Sequence, residues 1–286
     1  MPKKLPKGLG LRELPPDSRD IQLGAVIKLP KLDELPPEFR LSNTFPVKDQ
    51  KGSDFCSAYA SCVLSEMQED IELEPAWSFA VSKMLSGDVD GYGQDLRSAM
   101  AAHTKYGALP KKDTPFSVGD QPDSYLRRIE NWPRKMFDKA FPQKKKAYVF
   151  VTGPYDHFDN IRATIWYWFT KGEKRGVLLG VAWGWPIEQV VMEDAGSPYG
   201  GHALADMGWV ERDEDQYLYI RGSYGTDAGE NGYHYFSRQV INENVERYGA
   251  GMFVDMSKEE LRELLKKKQN PKQSWWFLEI IKRLWQ

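Results

Sequence analysis

The sequence predicts an α+β fold: a helical first half and a sheet-forming second half, facing each other across a cleft. Two observations carry this prediction. Up to residue 170 the apolar residues recur mainly at helical spacing. From residue 177 onward the apolar runs become short, rich in β-branched and aromatic residues, and bounded by glycine. No internal repeat is visible, so the halves are not copies of one unit.

Residues 1–36 read as an extended arm, because Pro15-Pro16 and Pro36-Pro37 resist helix. Residues 37–256 form the main domain, with a left half at about 45–140 and a right half at about 145–256. A central helix is expected over 56–67, where neither Gly nor Pro interrupts the apolar spacing. Asp90-Gly91-Tyr92-Gly93 is a glycine-rich loop, followed by a helix over 94–106 that Gly107 and Pro110 stop. Residues 111–147 are rich in lysine and proline; an amphipathic helix is expected over 122–141, and Lys144-Lys145-Lys146 as a solvated run. A helix over 155–170 packs Ile161, Ile165, Trp166 and Phe169. The nearly continuous apolar run 177–183, between Gly176 and Gly184, predicts a buried strand. Further strands are expected over 202–210, 217–221, 233–236 and 252–254, in an antiparallel sheet or barrel.

Residues 257–286 form a helical tail. Ser257 and Glu260 have the spacing of a capping box. The intensely apolar stretch 274–285 would be a liability in water. It is expected to pack on the body or a partner subunit, with a membrane surface or the cleft as alternatives.

Composition narrows the function classes. The 286 residues carry a net charge of −2, so no overall basic field points to nucleic acid. Two cysteines, six apart on one helix, cannot form a disulfide framework. The first nine residues lack the apolar core of a signal peptide, and no apolar run is long enough to span a membrane. The expected location is cytoplasmic. No metal-ligand spacing occurs among the four histidines and two cysteines, and no cofactor is expected. His103 is expected at the surface, His157 near a helix start, and His234 beyond the substrate region.

The chemistry gathers at Cys56 and His202. Cysteine is a nucleophile as thiolate, which a helix N-terminus and a nearby base favour. Cys56 is placed to open the 56–67 helix, with the first-turn N–H groups aimed at its sulfur. His202, 146 positions later and preceded by Gly200-Gly201, can supply the base once folding brings it close. Gln50, six residues before Cys56, can donate an amide hydrogen to a developing oxyanion.

These stretches resemble the papain-like cysteine peptidases. The resemblance rests on Pro46-Val47-Lys48-Asp49-Gln50, on Cys56-Ser57-Ala58-Tyr59-Ala60, on Gly201-His202-Ala203, and on the run from Gly225 to Tyr233. It covers roughly residues 35–256. It implies a two-subdomain fold and a thiol hydrolase acting on a peptide or protein substrate, with Cys56, His202 and Gln50 catalytic. Gly93, Gln94, Gly201 and Ala203 would line the substrate subsites, and Tyr224 would shield the histidine where relatives carry tryptophan. In relatives a leader at the place of residues 1–36 runs through the cleft, so the arm is expected either to lie on the surface or to act as a removable inhibitory segment. The chain departs from the pattern at Ser53, where relatives carry a disulfide cysteine, and at Gly222, where they carry the asparagine that orients the histidine. A water or backbone carbonyl is expected to take that role, and Gly222→Asn to raise turnover. Asp206 lies about 13 Å from His202 along the strand, too far to serve. Two alternatives share the same residues: an enzyme passing the acyl group to an amine, and an idle relative that binds peptides or a partner.

Overall fold

Cys56 opens a helix that is buried along nearly its whole length. In the computed structural model, which describes residues 8–116, 120–194 and 198–269, this helix runs Cys56–Glu69 and every residue from Cys56 to Met67 is buried. A helix so enclosed must lie between two layers, and it does.

In chain order the helices are α1 (Leu23–Val26), α2 (Cys56–Glu69), α3 (Pro75–Ser86), α4 (Leu96–Lys105), α5 (Asp123–Leu126), α6 (Lys135–Ala140), α7 (His157–Phe169), α8 (Arg238–Tyr248) and α9 (Lys258–Gln269). The strands are β1 (Phe39–Arg40), β2 (Ala147–Phe150), β3 (Val177–Trp183), β4 (Val191–Met192), β5 (Gly200–Arg212), β6 (Asp215–Arg221), β7 (Tyr233–Ser237) and β8 (Ala250–Val254). One face of α2 meets α3 and α4; the opposite face meets β3 and β5. The left half has its own apolar core, where Phe55 stacks on Phe79 and Trp77 packs edge-on against Trp132.

The right half is one sheet in the order β2-β8-β3-β5-β6-β7-β4, with β1 paired to β5. It stays open, so of the two arrangements expected, sheet or barrel, the sheet forms. All its pairs are antiparallel except β4 with β7. The register sets the site: Val181 opposes His202, Ala182 opposes Gly201, and Ile220 opposes His234.

Local chemistry explains the termini. Asp95 caps α4 by accepting from the Ser98 N–H at 2.9 Å, which places Gln94 just outside the helix. Ser257 and Glu260 form the expected capping box at the start of α9.

Three expectations are corrected. Residues 122–141 do not form one helix: Pro133 forces Trp132 into an extended conformation, and α5, a 3₁₀ turn and α6 replace it. Lys145 is not solvated but buried, paired with Glu69 of α2. His103 is not at the surface. It is fully buried between Ser61 Oγ at 3.1 Å and Ser65 Oγ at 2.9 Å, both from α2. The apolar stretch 274–285 lies outside the described residues. Among the described residues no helix is long and apolar enough to cross a membrane, and Cys56 and Cys62 are both free.

Burial holds the His103 ring neutral, with its pKa pulled down from 6.5 to about 3. The unfolded chain therefore takes up a proton below about pH 6.5 that the folded chain refuses until about pH 3. Stability is full above that window and falls as pH drops through it, by up to about 1.4 kcal/mol per pH unit from this group. In His103→Gln, whose amide keeps partners for both serines, urea unfolding between pH 6.5 and 4 should lose stability less steeply than wild type.

Candidate active site

The elements that carry the sequence-predicted residues converge where the left half meets the sheet. Cys56 stands at the first turn of α2, His202 on β5, Gln50 in the loop before α2, and Gly93-Gln94 just before α4. Ala203 brings its backbone N–H to the Cys56 sulfur, beside that of Ser57 in the first helical turn. Tyr224 lies nearly parallel to the His202 ring, centroids 4.9 Å apart at 12°. Trp183 of β3 meets His202 edge-on at 5.0 Å.

The cleft is not open. Residues 8–12 of the arm run through it, and the expected solvent-facing groove is sealed. Leu11 pairs in parallel with Gln94 on one wall and antiparallel with Gly201 on the other. The bonds are Gln94 N–H to Gly10 O at 2.8 Å, Arg12 N–H to Gln94 O at 3.1 Å, and Leu11 N–H to Gly201 O at 3.0 Å. The Gln50 amide donates to the Gly8 carbonyl at 2.9 Å, and the Gly10 backbone reaches the Cys56 sulfur. Cys56 and His202 are both fully buried beneath this strap.

Glycine makes such proximity possible. A Cβ on Gly10 would lie 2.1 Å from the Asp54 carbonyl oxygen, and one on Gly93 would lie 1.7 Å from that of Gly10. Gly93 also sits at φ +60°, a conformation glycine adopts without steric cost. Leu11 is buried with its side chain against Gly180, and Gly201 leaves room for its carbonyl. Arg12 fastens the next position through the Tyr92 carbonyl at 2.6 Å and Asp88 at 2.6 Å.

Beneath the strap the walls are fixed by buried polar groups, of which the sequence reading singled out Gln50 and Gln94 but not Asp54, Lys83, Ser82 or Arg127. Asp54 accepts from the Gly93 N–H and pairs with Arg127 at 2.8 Å. Lys83 donates to the carbonyls of Gly91, at 2.6 Å, and Gly93; burial draws its pKa down to about 8. The Gln94 amide donates to Ser57 Oγ at 2.8 Å and accepts from Ser82. Ser223 Oγ donates to Gln50 Oε1 at 2.6 Å, which leaves the Gln50 NH₂ group aimed into the cleft. The one available signal for this set was several polar residues standing inside otherwise apolar helices.

The titratable groups are silenced by desolvation. Burial pushes the Cys56 thiol up to about 11, although the Ala203, Gly10 and Ser57 N–H groups pull the other way. Burial pulls His202 down to about 3, with the charge of a protonated His234 adding to the effect. Neither His202 ring nitrogen has a hydrogen-bond partner. The pair is therefore neutral thiol and neutral imidazole.

At the Gly222 gap the expectation needs correction. The space is filled by His234: a Cβ on Gly222 would lie 3.3 Å from His234 Nε2. A side chain at 222 would require that ring to give by a few tenths of an ångström, a cost the sequence does not show. His234 is no bystander on a remote strand. It is fully buried and meets Trp183 edge-on at 5.3 Å, the same indole that His202 meets. Asp206 is buried with its Oδ1 accepting from the Gly208 N–H at 3.0 Å.

No protein-family model matches the sequence, and no curated protein matches it. Solved structures do match its fold. Xylellain, a cysteine protease from Xylella fastidiosa, superposes with a TM-score of 0.68 at 18% identity, over 88% of this chain and 98% of that one. A procathepsin B from Trypanosoma congolense gives 0.59 at 14%, over 86% of each chain. Bromelain from Ananas comosus gives 0.57 at 14%, over 77% and 99%. The chain is similar to these and has the papain-like cysteine peptidase fold.

An acid whose pKa is raised stays protonated at neutral pH, so the strapped protein holds very little thiolate. Alkylation of Cys56 by iodoacetamide, followed by mass spectrometry, should be slow at pH 7 and accelerate as pH rises toward 11. Cys62, whose thiol burial raises further, should react more slowly at each pH.

Proposed function

We propose that this chain is a cysteine peptidase that hydrolyses peptide bonds through Cys56 and His202, and that residues 8–12 block its cleft. The observation that carries the reading is the Gln50 amide donating to the Gly8 carbonyl while the same strand crosses the Cys56 sulfur. A peptide carbonyl thus occupies the place where an oxyanion would be received. Support also comes from the fold shared with cysteine proteases.

When the strap leaves, water reaches the site and the desolvation that separates the two pKa values falls. His202 then takes the Cys56 proton, and the thiolate attacks the scissile carbonyl. Gln50 Nε2 and the Cys56 N–H receive the oxyanion; losing one such donor costs about 10²–10³ in kcat. His202 protonates the leaving amine, then activates the water that releases the acyl-enzyme. Gly93, Gln94, Gly201 and Ala203 hold the substrate main chain along the two walls that now hold the arm. Tyr224 keeps one face of the imidazole dry.

The unpartnered His202 ring favours a second reading, an idle relative that only binds its own arm or a peptide. One set of variants separates the two. Gly10→Val cannot pass the Asp54 carbonyl and should free the cleft while leaving every site residue intact. It should label at Cys56 at pH 7 at least about tenfold faster than wild type and cleave an unstructured peptide faster. Cys56→Ala should cleave nothing. Fast labelling of Gly10→Val without cleavage would establish the idle reading. Capture of the acyl group by an added amine, without hydrolysis, would establish acyl transfer instead.

A further inference from the structure

We propose that His234 is the residue that positions His202, by presenting a bare Nε2 as hydrogen-bond acceptor at the place Gly222 leaves vacant. The inference rests on the peptidase reading of Cys56 and His202 and supplies its missing third member.

The tautomer of His234 follows from its partner. Its Nδ1 lies 2.8 Å from the carbonyl oxygen of Gln189. A carbonyl oxygen can only accept, so Nδ1 carries the hydrogen. Burial holds the ring neutral at working pH, with its pKa drawn down to about 4. A neutral imidazole with hydrogen on Nδ1 has a free lone pair on Nε2. That nitrogen is buried and has no partner, an arrangement that costs stability unless another group uses it.

Among the described residues, the other buried imidazole nitrogens without partners are the two of His202. Both rings are fully buried and each meets the same indole, Trp183, edge-on, at 5.0 and 5.3 Å between centroids. Tyr224 covers the other side of His202. The Nε2 of His234 lies 3.3 Å from where a Cβ at 222 would sit. The fold keeps space for the ring: a Cβ on Gly229 would lie 2.7 Å from both His234 Nδ1 and Cε1. Glycine at 222 and at 229 thus makes room for the same imidazole.

In the strapped state His202 makes no hydrogen bond to it. When His202 takes the Cys56 proton, both its nitrogens become donors, one toward the sulfur and one free. The His234 lone pair receives the second N–H, directly or through one water. That bond fixes the plane of the ring and stabilises the imidazolium. His234 touches neither substrate nor sulfur, so it is a positioning residue.

The test reads tautomers by ¹⁵N-imidazole NMR on the full chain, with no turnover required. Wild-type His234 should show hydrogen on Nδ1 and a bare Nε2. Hydrogen on Nε2 would overturn the proposal without any variant. In the Gly10→Val background, His202 should hold a single tautomer, or the doubly protonated ring when paired with thiolate. His234→Val should leave a tautomer mixture and lower the kcat of peptide cleavage by about tenfold or more, with KM little changed. Gly222→Asn combined with His234→Val should restore both the single tautomer and kcat, because the amide then has room. An unchanged His202 tautomer and kcat in His234→Val, or no restoration in the double variant, would overturn it. If neither Gly10→Val nor wild type cleaves peptide, the peptidase reading fails separately, and the tautomer measurements still decide the role of His234.

Discussion

A strand of the chain's own backbone lies against the sulfur of Cys56, and everything distinctive about this site follows from how close it comes. The approach is set by hydrogen bonds to two walls, Gln94 on one and Gly201 on the other, which fix the main chain of residues 10–12 between them. Contact this tight tolerates no Cβ, and glycine stands at positions 8, 10, 93 and 201, where it is tightest. The grip extends beyond the cleft, because Leu14 donates to the Arg247 carbonyl and Arg97 pairs with Asp20. Residues 21 and 22 then dock along Phe150 at the edge of the sheet. The segment is held as part of the fold, not as a loose tail.

Excluding water has a definite electrostatic consequence. A thiolate–imidazolium pair needs either solvent or fixed dipoles, and under the strap the dipoles are too few. The N–H groups of Ala203, Gly10 and Ser57 favour the thiolate, yet desolvation outweighs them and the thiol stays neutral. The imidazole moves in the opposite direction for the same reason. One physical change, removal of the cover, therefore acts on both groups in the sense that lets a proton pass from sulfur to ring. The strand that fills the cleft and the shifts of both groups thus share one cause, the exclusion of water.

How much of this the sequence disclosed depends on whether the deciding contacts are local. The start of α2 at Cys56 and the limits of β3 follow from apolar runs and flanking glycines within a few residues, and both were legible. Pro133 shows a local rule overlooked: one proline splits the helix expected over 122–141. Lys145 and His103 were misjudged because their partners come from α2, far away in sequence, and only tertiary packing places Glu69, Ser61 and Ser65 beside them. The strap was half legible: the resemblance offered a leader running through the cleft, beside an arm on the surface, and nothing local in residues 1–36 chose between them. His234 was hidden by reading position 222 alone. The pairing of β6 with β7 carries the histidine past the gap, and that register is a property of the sheet.

The walls of the cleft are held from behind as well as by the strap. Gln50 is anchored from behind by Ser223, and the Gly93 loop is held by Asp54, Lys83 and, through Asp54, Arg127. These buried polar groups are satisfied mainly by one another, so part of the support of both walls comes from behind the strap. The His202 ring is different. Tyr224 stacks on it and Trp183 meets it edge-on, contacts that hold its position and leave its proton unassigned. On the peptidase reading proposed above, a base held this way calls for one further acceptor. With no side chain at 222, the buried and unpartnered Nε2 of His234 is the acceptor that the proposal assigns to it.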